Sequence, residues 1–251
     1  MLFYMLQQYP KIRRAVINDV NSDLTTCYRT VRDMPEQLIT SLMEIQNAYN
    51  ELESEEGRKE FFLAVRDRYN EKNLEPLENT TKFFFLNRTC FNGLYRVNKK
   101  GLFNVPFGKY TNPQICDPVT IRKDSELLQH VEILTGDFEE TFNYAQGNTL
   151  FYFDPPYRPL CDTSSFNDYS KEAFNDDAQI RLKEYCDHIH DAGFHFMLSN
   201  SDCKGKNEED NFFDVLYGAY NRARIYEQNG TPNIVIRNYS KSDSIGFSTI
   251  K

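Results

Sequence analysis

The stretch Thr149-Leu-Phe-Tyr-Phe-Asp154-Pro155-Pro156-Tyr157 constrains the fold of this chain more than any other. Its aromatic and β-branched residues predict a strand, and the acid and two prolines that follow require the strand to end at Asp154. Because the prolines lack a backbone N–H and restrict the backbone, the turn is rigid and its carbonyls are free to accept hydrogen bonds. A fixed carboxylate, a free carbonyl and a ring could hold a planar ligand that carries an amino group. The alternative is a plain exit from a strand into a loop.

The charge of the chain is unevenly distributed. A net charge of −8 argues by itself against a nucleic-acid partner. However, residues 79–116, here called the basic tract, contain no Asp or Glu but six basic residues: Lys82, Arg88, Arg96, Lys99, Lys100 and Lys109. A basic tract inside an acidic chain indicates a surface for phosphates. A solvated loop that happens to lack acids is the alternative.

Two stretches of the sequence resemble a known family. Asp-Pro-Pro-Tyr resembles the catalytic motif of the amino-group DNA methyltransferases. Residues 92–96 read Asn-Gly-Leu-Tyr-Arg and residues 103–110 read Phe-Asn-Val-Pro-Phe-Gly-Lys-Tyr, which is similar to the target-recognition segment of Dam-type enzymes that act on GATC. The chain therefore resembles the Dam/DpnII type of DNA adenine-N6 methyltransferase over most of its length.

This resemblance implies a reaction and its partners. S-adenosylmethionine is the expected cofactor, double-stranded DNA is the expected partner, and a cognate restriction endonuclease in the same system is a further candidate. No metal is required. The catalytic residues would be Asp154, Pro155, Pro156 and Tyr157. An adenine flipped out of the duplex would bond through its amino group to the Asp154 carboxylate and the Pro155 carbonyl.

The resemblance also implies cofactor-binding residues. Asp19 ends a short predicted strand, and doubly wound nucleotide-binding sheets hold a ribose hydroxyl with an acid at such a position. The alternative is a turn aspartate that caps the next helix near Asp23. Asp137 and Phe138 follow another predicted strand and would border the adenine of the cofactor. Asp154 is the fourth member of this set.

A β-hairpin with a basic tip is predicted around Lys99-Lys100-Gly101. By the resemblance it enters the major groove, where Arg96 would read guanine with a contact worth ~1–3 kcal/mol. The DNA-binding residues that the resemblance implies are Phe91, Asn92, Leu94, Arg96, Asn98, Lys99, Lys100, Pro106 and Lys109. A hairpin that packs into the core is the alternative, and it explains Phe103 and Phe107 but not the basic tip.

Strands that alternate with helical segments predict an α/β fold, which the resemblance specifies as a Rossmann-like methyltransferase sheet with an inserted target-recognition domain of helices and a β-hairpin. The expected domains are residues 1–33, the N-terminal part of the catalytic domain; residues 34–116, the insertion; and residues 117–251, the remainder of the catalytic domain. Apolar residues at helical spacing between 34 and 78 predict two or three amphipathic helices with a turn at 53–58.

The second half of the chain continues this pattern. A loop over the site is predicted at 158–169, a helix at 171–191, a buried strand from Gly193 that ends in polar residues, and a final pair of strands near 224–226 and 234–239.

One feature of the family is missing from the sequence. The family carries a Phe-x-Gly-x-Gly loop after its central strand, where glycines let backbone amides approach the methionine part of the cofactor. No such loop precedes Leu2, so the chain is expected to be a truncated, mis-started or decayed form of a longer protein. We expect the missing strand to lie between the strands of Asp19 and Asp137, which predicts marginal stability and weak cofactor binding. A DNA-binding fragment without cofactor binding is the alternative function.

Other features of the sequence restrict location and chemistry. The six cysteines are dispersed without a Cys-x-x-Cys pair, which predicts free thiols in a reducing cytoplasm. No apolar run approaches membrane-spanning length and no signal peptide is evident, so we expect a cytoplasmic protein without a membrane partner. His188 and His190 point in different directions on a helix, so no metal site is expected.

Overall fold

The computed structural model describes residues 1–159, 174–205, 207–226 and 232–240. The chain divides into two compact units, residues 1–141 and 142–251. Within the described residues, the first unit has a sheet of two strands and the second has a sheet of four. The α/β class predicted from the sequence is confirmed.

The first unit is largely helical. Strand β1 (Ala15–Asp19) pairs in parallel with β2 (Val131–Thr135). Its helices are α1 (Leu2–Gln8), α2 (Ser22–Asp33), α3 (Pro35–Asn50), α4 (Glu55–Tyr69), α5 (Pro76–Thr89) and α6 (Pro118–Leu128), with short 3-10 helices at Phe91–Gly93 and Phe138–Tyr144. The amphipathic helices predicted between residues 34 and 78 are confirmed. The turn predicted at 53–58 is shorter, because Ser54 caps α4 by accepting a hydrogen bond from the Gly57 amide at 3.0 Å.

The two strands of the first unit correct one expectation. Ala15 faces Val131 and Asp19 faces Thr135 in an uninterrupted parallel register. The prediction of another strand between the strands of Asp19 and Asp137 is therefore wrong, because these strands are hydrogen-bonded neighbours.

Aromatic side chains form much of the core of the first unit. Tyr49, Phe62 and Phe85 have no exposed surface. The Tyr49 ring meets the Phe85 ring edge to face at 5.5 Å, and Phe61 meets Phe85 in the same way at 5.6 Å. These contacts join α3, α4 and α5, since each helix presents its apolar stripe to the others.

A partly buried carboxylate ties the start of α2 to α4 and α5. Asp23 accepts hydrogen bonds from the Tyr69 hydroxyl at 2.8 Å, the Lys72 ammonium at 2.7 Å and the Asn79 amide at 3.4 Å. Burial raises the pKa of Asp23, but the Lys72, Tyr69 and Asn79 donors outweigh it and hold the pKa below its ordinary value.

We expect Asp23→Asn to destabilise the protein in a pH-dependent way. Because the pKa of Asp23 is lower in the folded state, its stabilising effect is complete above the unfolded pKa and is lost as the pH falls through the folded pKa. Near neutral pH, the free energy of unfolding of the variant should be about 1–2 kcal/mol lower than that of the wild type. This difference in the free energy of unfolding, measured with urea, should become smaller as the pH falls below about 4. Asp67→Asn, at an exposed position on α4, is the control, and a deficit that does not change with pH would contradict the prediction.

The second unit contains a mixed sheet in the strand order β3-β4-β6-β5. Its strands are β3 (Leu150–Phe153), β4 (His195–Ser201), β5 (Asn221–Tyr226) and β6 (Pro232–Arg237), and its helices are α7 (Asp176–Asp191) and α8 (Phe212–Leu216), with a 3-10 turn at Cys203–Gly205. Strands β3 and β4 are parallel, whereas β6 runs antiparallel to both β4 and β5. The final pair of strands is therefore confirmed.

Some predicted features fall partly outside the described residues. The predicted loop at 158–169 is described only for Arg158 and Pro159, and the predicted helix from 171 is described from Asp176, after its cap Asn175. In the described ranges, no helix is long and apolar enough to cross a membrane. The same ranges hold no cluster of His, Cys, Asp and Glu that could bind a metal ion. Five cysteines in them are buried free thiols, and Cys161 lies outside them.

Candidate functional site

The Asp154 carboxylate is held by the neighbouring strand. Asp154 directly follows β3, so the predicted end of the strand is confirmed. Its Oδ1 accepts a hydrogen bond at 2.9 Å from the Ser199 hydroxyl, which lies 3.3 Å from the Tyr152 hydroxyl. Since Ser199 is on β4, the parallel pairing of β3 and β4 sets the position of the carboxylate. Asp154 itself is exposed and can meet a ligand.

Tyr157 lies beside this carboxylate. Its side chain is 43% exposed. Burial raises the pKa of Tyr157, and the negative charge of Asp154 raises it further, while a hydrogen bond with Ser199 opposes both. The ring therefore stays a neutral phenol at physiological pH and offers an accessible face for stacking.

The backbone around Tyr157 is bonded to two buried amide side chains. Gln179 on α7 donates through Nε2 to the Pro156 carbonyl at 3.2 Å. Asn200 on β4 accepts through Oδ1 from the Arg158 amide at 3.0 Å. The prediction that the carbonyls of the turn are free is therefore wrong for Pro156. Among the described residues, none donates a hydrogen bond to the Pro155 carbonyl.

Arg158 anchors the far end of the turn. Its guanidinium donates to Asp176 at 2.9 Å and to Asp210 at 2.6 Å, and it lies 4.5 Å from the centre of the Phe212 ring. The hydrogen bond to Asp176, and next the one to Asp210, raise the pKa of Arg158 against the opposing effect of burial. The side chain stays charged and its ion pairs stay in place.

The two predicted acids of the cofactor set come together at one end of the first unit's sheet. Asp19 is the last residue of β1, and its Oδ1 accepts a hydrogen bond from the Asn21 amide at 2.8 Å. The alternative role of Asp19 as a helix cap is wrong, because Asn21 is the residue that caps α2. Asp137 follows β2, and its Oδ1 accepts from the Glu139 amide at 3.0 Å.

Asn18, which the sequence did not mark as a site residue, joins these two strand ends. Its Nδ2 donates to the Gly136 carbonyl at 3.0 Å and to the Asp137 carbonyl at 3.1 Å. This fixes the backbone that carries Asp137 and the half-buried Phe138. Two carboxylates that accept hydrogen bonds and one ring at the ends of parallel strands fit a nucleoside, which offers hydroxyl and amino donors and a planar base.

The turn of the predicted basic hairpin is confirmed. The Asn98 amide donates to the Leu102 carbonyl at 2.9 Å, and Asn98 Oδ1 accepts from the Lys100 and Leu102 amides at 2.9 and 3.1 Å. The flanking segments pair only through the single bridges Val97 to Phe103 and Cys90 to Phe107, so the predicted strands do not form a regular ladder. Pro106 contributes to this limit, because it has no N–H to donate.

Asn104, for which the sequence predicted no role, restrains Arg96. Arg96 donates through Nε to Asn104 Oδ1 at 2.8 Å and through one terminal nitrogen to the Asn104 carbonyl at 3.2 Å. The guanidinium has five N–H groups, so the others can still meet a ligand. Asn104 thus orients the Arg96 side chain and leaves three of its N–H groups as donors for a ligand.

The lysines of the basic tract have different surroundings. Lys99 and Lys100 are exposed at the hairpin tip, and neither has an ion pair with an acid in the described residues. Lys109 pairs with Glu55 at 2.7 Å, and Lys82 pairs with Glu78 at 3.3 Å. The acid-free tract is therefore partly neutralised by acids from outside it. Its exposed basic side chains without an ion pair in the described residues are Arg88, Lys99 and Lys100.

Apolar side chains flank the hairpin. Phe91 and Leu94 are each 52% exposed. Between them, Asn92 has a φ of +54°, and the Phe91 amide donates to the Pro106 carbonyl at 2.8 Å. Phe103 is instead buried, as a hairpin that packs into the core predicts. The hairpin thus both contributes to the core and exposes residues of the predicted interface.

The chain matches a known protein family over most of its length. Residues 1–232 match the family model described as D12 class N6 adenine-specific DNA methyltransferase. The match covers both the Asp154 turn and the basic tract.

Individual relatives point to the same class. The type II methyltransferase M.MjaIII of Methanocaldococcus jannaschii is 43% identical over 226 residues, which are 89% of this chain and 75% of the relative. The type II methyltransferase M1.LlaDCHI of Lactococcus lactis subsp. cremoris is 37% identical over 235 residues, 90% of this chain and 80% of the relative. A DNA adenine methylase of Vibrio cholerae serotype O1 is 32% identical over 190 residues, 75% of this chain and 66% of the relative.

Proposed function

We infer the function from one premise: the chain belongs to the D12 class of N6 adenine-specific DNA methyltransferases. We propose that it methylates the N6 amino group of adenine in double-stranded DNA, at GATC, with S-adenosylmethionine as the methyl donor. One observation carries this proposal: the exposed Asp154 carboxylate directly precedes Pro155. The Pro155 carbonyl receives no hydrogen bond from the described residues.

The Asp154 turn activates the amino group. The adenine amino nitrogen is a poor nucleophile, because its lone pair is delocalised into the ring. Ser199 occupies only part of the acceptor capacity of Asp154, so the carboxylate accepts one amino hydrogen and the Pro155 carbonyl accepts the other. These two hydrogen bonds localise the lone pair on nitrogen. Asp154 then receives the proton or passes it to water.

Stacking on Tyr157 offsets part of the free-energy cost of base flipping. The target amino group is inside the duplex, so the adenine must leave the stack at a cost of a few kcal/mol. Stacking on the 43% exposed Tyr157 side chain returns about 1–3 kcal/mol. Phe91 and Asn92 fill the gap that the base leaves in the duplex.

The first unit holds the cofactor through its nucleoside. Asp19 accepts hydrogen bonds from the ribose hydroxyls, Asp137 accepts one from the adenine amino group, and Phe138 packs on the base. When bound, S-adenosylmethionine supplies an electrophilic methyl group. Asn18 supports this set through its bonds to the Gly136 and Asp137 carbonyls.

The hairpin supplies sequence recognition. Arg96, oriented by Asn104, reads guanine in the major groove, and Lys99 and Lys100 contact phosphates. We also propose a restriction-modification system with a cognate endonuclease as the biological context, because two of the relatives are named type II methyltransferases.

A product assay tests the proposal. The purified chain is incubated with S-adenosylmethionine and a duplex that contains one GATC site, and the modified nucleosides are identified by mass spectrometry. We expect N6-methyladenine at GATC and much less in a duplex altered at the guanine. Methylated cytosine as the product would overturn the proposal. DNA binding without any methylation would instead favour a fragment that has lost cofactor binding.

A further inference from the structure

We propose that Gln179 and Asn200 are positioning residues that fix both peptide units around Tyr157, so that the Pro155 carbonyl is the one carbonyl of the two prolines that a substrate amino group can use. This inference rests on the proposed function, because it assigns a role to residues that support the same site.

The side chains of Asn200 and Gln179 form a chain of hydrogen bonds in which each donor and each acceptor can be assigned in only one way. Asn200 Oδ1 accepts from the Arg158 and Ser201 backbone amides at 3.0 and 2.9 Å. Backbone amides can only donate, so the Asn200 side chain cannot flip. Its Nδ2 therefore faces Gln179 Oε1, at 3.3 Å, and Gln179 must direct its own nitrogen to the Pro156 carbonyl, at 3.2 Å. The backbone thus determines the orientation of both amides.

The ends of this chain lie on either side of Tyr157. The Pro156 carbonyl belongs to the peptide unit before Tyr157, and the Arg158 N–H belongs to the peptide unit after it. Fixing both units restrains the backbone that carries the ring. The same bonds occupy the Pro156 carbonyl, which leaves the Pro155 carbonyl for a ligand.

Both amides occupy positions where apolar residues would otherwise pack. Gln179 is 1% exposed and lies on the buried face of α7 with Leu182 and Ile189. Asn200 has no exposed surface and follows Phe196 and Leu198 on the buried face of β4. Buried amides are unfavourable unless they are fully bonded. Their place here is explained by the backbone groups of the turn, which no apolar side chain could satisfy.

Two substitutions at Gln179 separate positioning from folding. Gln179→Met keeps the length but removes both hydrogen bonds. Gln179→Glu removes the donor when its carboxyl is ionised, but a protonated Glu can again donate to the Pro156 carbonyl. Matched controls are Gln146→Met and Gln146→Glu, at an exposed position in the same unit. Each variant is tested for its single-turnover methylation rate at saturating DNA and S-adenosylmethionine, its affinity for a GATC duplex, and the hydrogen exchange of the Arg158 amide.

We expect Gln179→Met to lower the single-turnover rate about 10- to 100-fold, because the reacting groups are misplaced. Its DNA affinity should stay unchanged and the Arg158 amide should exchange faster. Gln179→Glu should regain its rate relative to the wild type as the pH falls, whereas Gln179→Met should not. Because protonation of a buried Glu also restores stability, the thermal unfolding midpoint is measured at each pH, and the positioning role requires the rescue of the rate without a change in the folded fraction.

The outcomes distinguish this inference from the proposed function. If the wild type methylates adenine and Gln179→Met keeps both the wild-type rate and the wild-type exchange of the Arg158 amide, the positioning role is overturned alone. If the wild type forms no N6-methyladenine, the proposed function fails. The exchange measurement then still decides whether the amide pair holds the turn, since unchanged exchange in Gln179→Met would overturn it.

Discussion

Asp154→Ala is expected to reduce methylation of adenine by about 10³-fold or more, because it removes the acceptor that localises the nitrogen lone pair. The fold should remain intact, since Asp154 is exposed and its carboxylate bonds to Ser199 at the surface. Methyl incorporation into a GATC duplex and the thermal unfolding midpoint are measured together. Glu184→Ala, at an exposed position in the same unit, is the control.

The result would separate catalysis from binding. If Asp154 acts on the amino group, Asp154→Ala should bind the duplex about as well as the wild type while it transfers methyl groups far more slowly. Full incorporation by Asp154→Ala would disprove the mechanism. A loss of activity that is accompanied by a large fall in the unfolding midpoint would instead assign Asp154 a structural role.

The parts of the site that follow one another in the chain could be predicted from the sequence. The end of β3 at Asp154 was predicted because two prolines cannot continue a strand. The hairpin at Lys99-Lys100-Gly101 was predicted because strand-like segments flank these residues, and Gly101 takes the φ of +73° that the turn requires. Each of these features is determined by the residues at its own position.

The parts that depend on distant residues could not be predicted in this way. Gln179 and Asn200 reach the turn from α7 and β4, and their sequence signal is only a polar residue at a core-facing position. The prediction of a strand between those of Asp19 and Asp137 was wrong because local patterns identify strands but not their neighbours, and β1 pairs directly with β2. The sequence also does not show that Lys109 pairs with Glu55, because this acid lies outside the basic tract.

Asn104 illustrates how a long-range contact changes the interpretation of a motif. The sequence indicates that Arg96 carries a charge, but not that Asn104 holds it by its Nε and one terminal nitrogen. Held in this way, the guanidinium loses less rotamer freedom when it binds a base, because its direction is already set. If Arg96 only attracted phosphates, a fixed direction of its guanidinium would add little to DNA binding.

Arg96→Ala is therefore expected to reduce sequence discrimination rather than overall affinity for DNA. Losing a bidentate contact to guanine should cost about 1–3 kcal/mol on the cognate site. The variant should accordingly narrow the ratio of methylation between GATC and a duplex altered at the guanine. The ratio of kcat/KM on the two duplexes measures this effect.

Lys99→Ala and Lys100→Ala are the matched comparison, because both lysines lie at the tip of the same hairpin and are exposed. Each should weaken binding equally on both duplexes and reduce the slope of log affinity against log salt by about one. Arg96→Ala should leave most of that slope intact, since guanine contacts release few counterions. If Arg96→Ala instead flattened the salt dependence and left the ratio between the two duplexes unchanged, Arg96 would be a phosphate contact, and the reading of GATC would have to come from other residues.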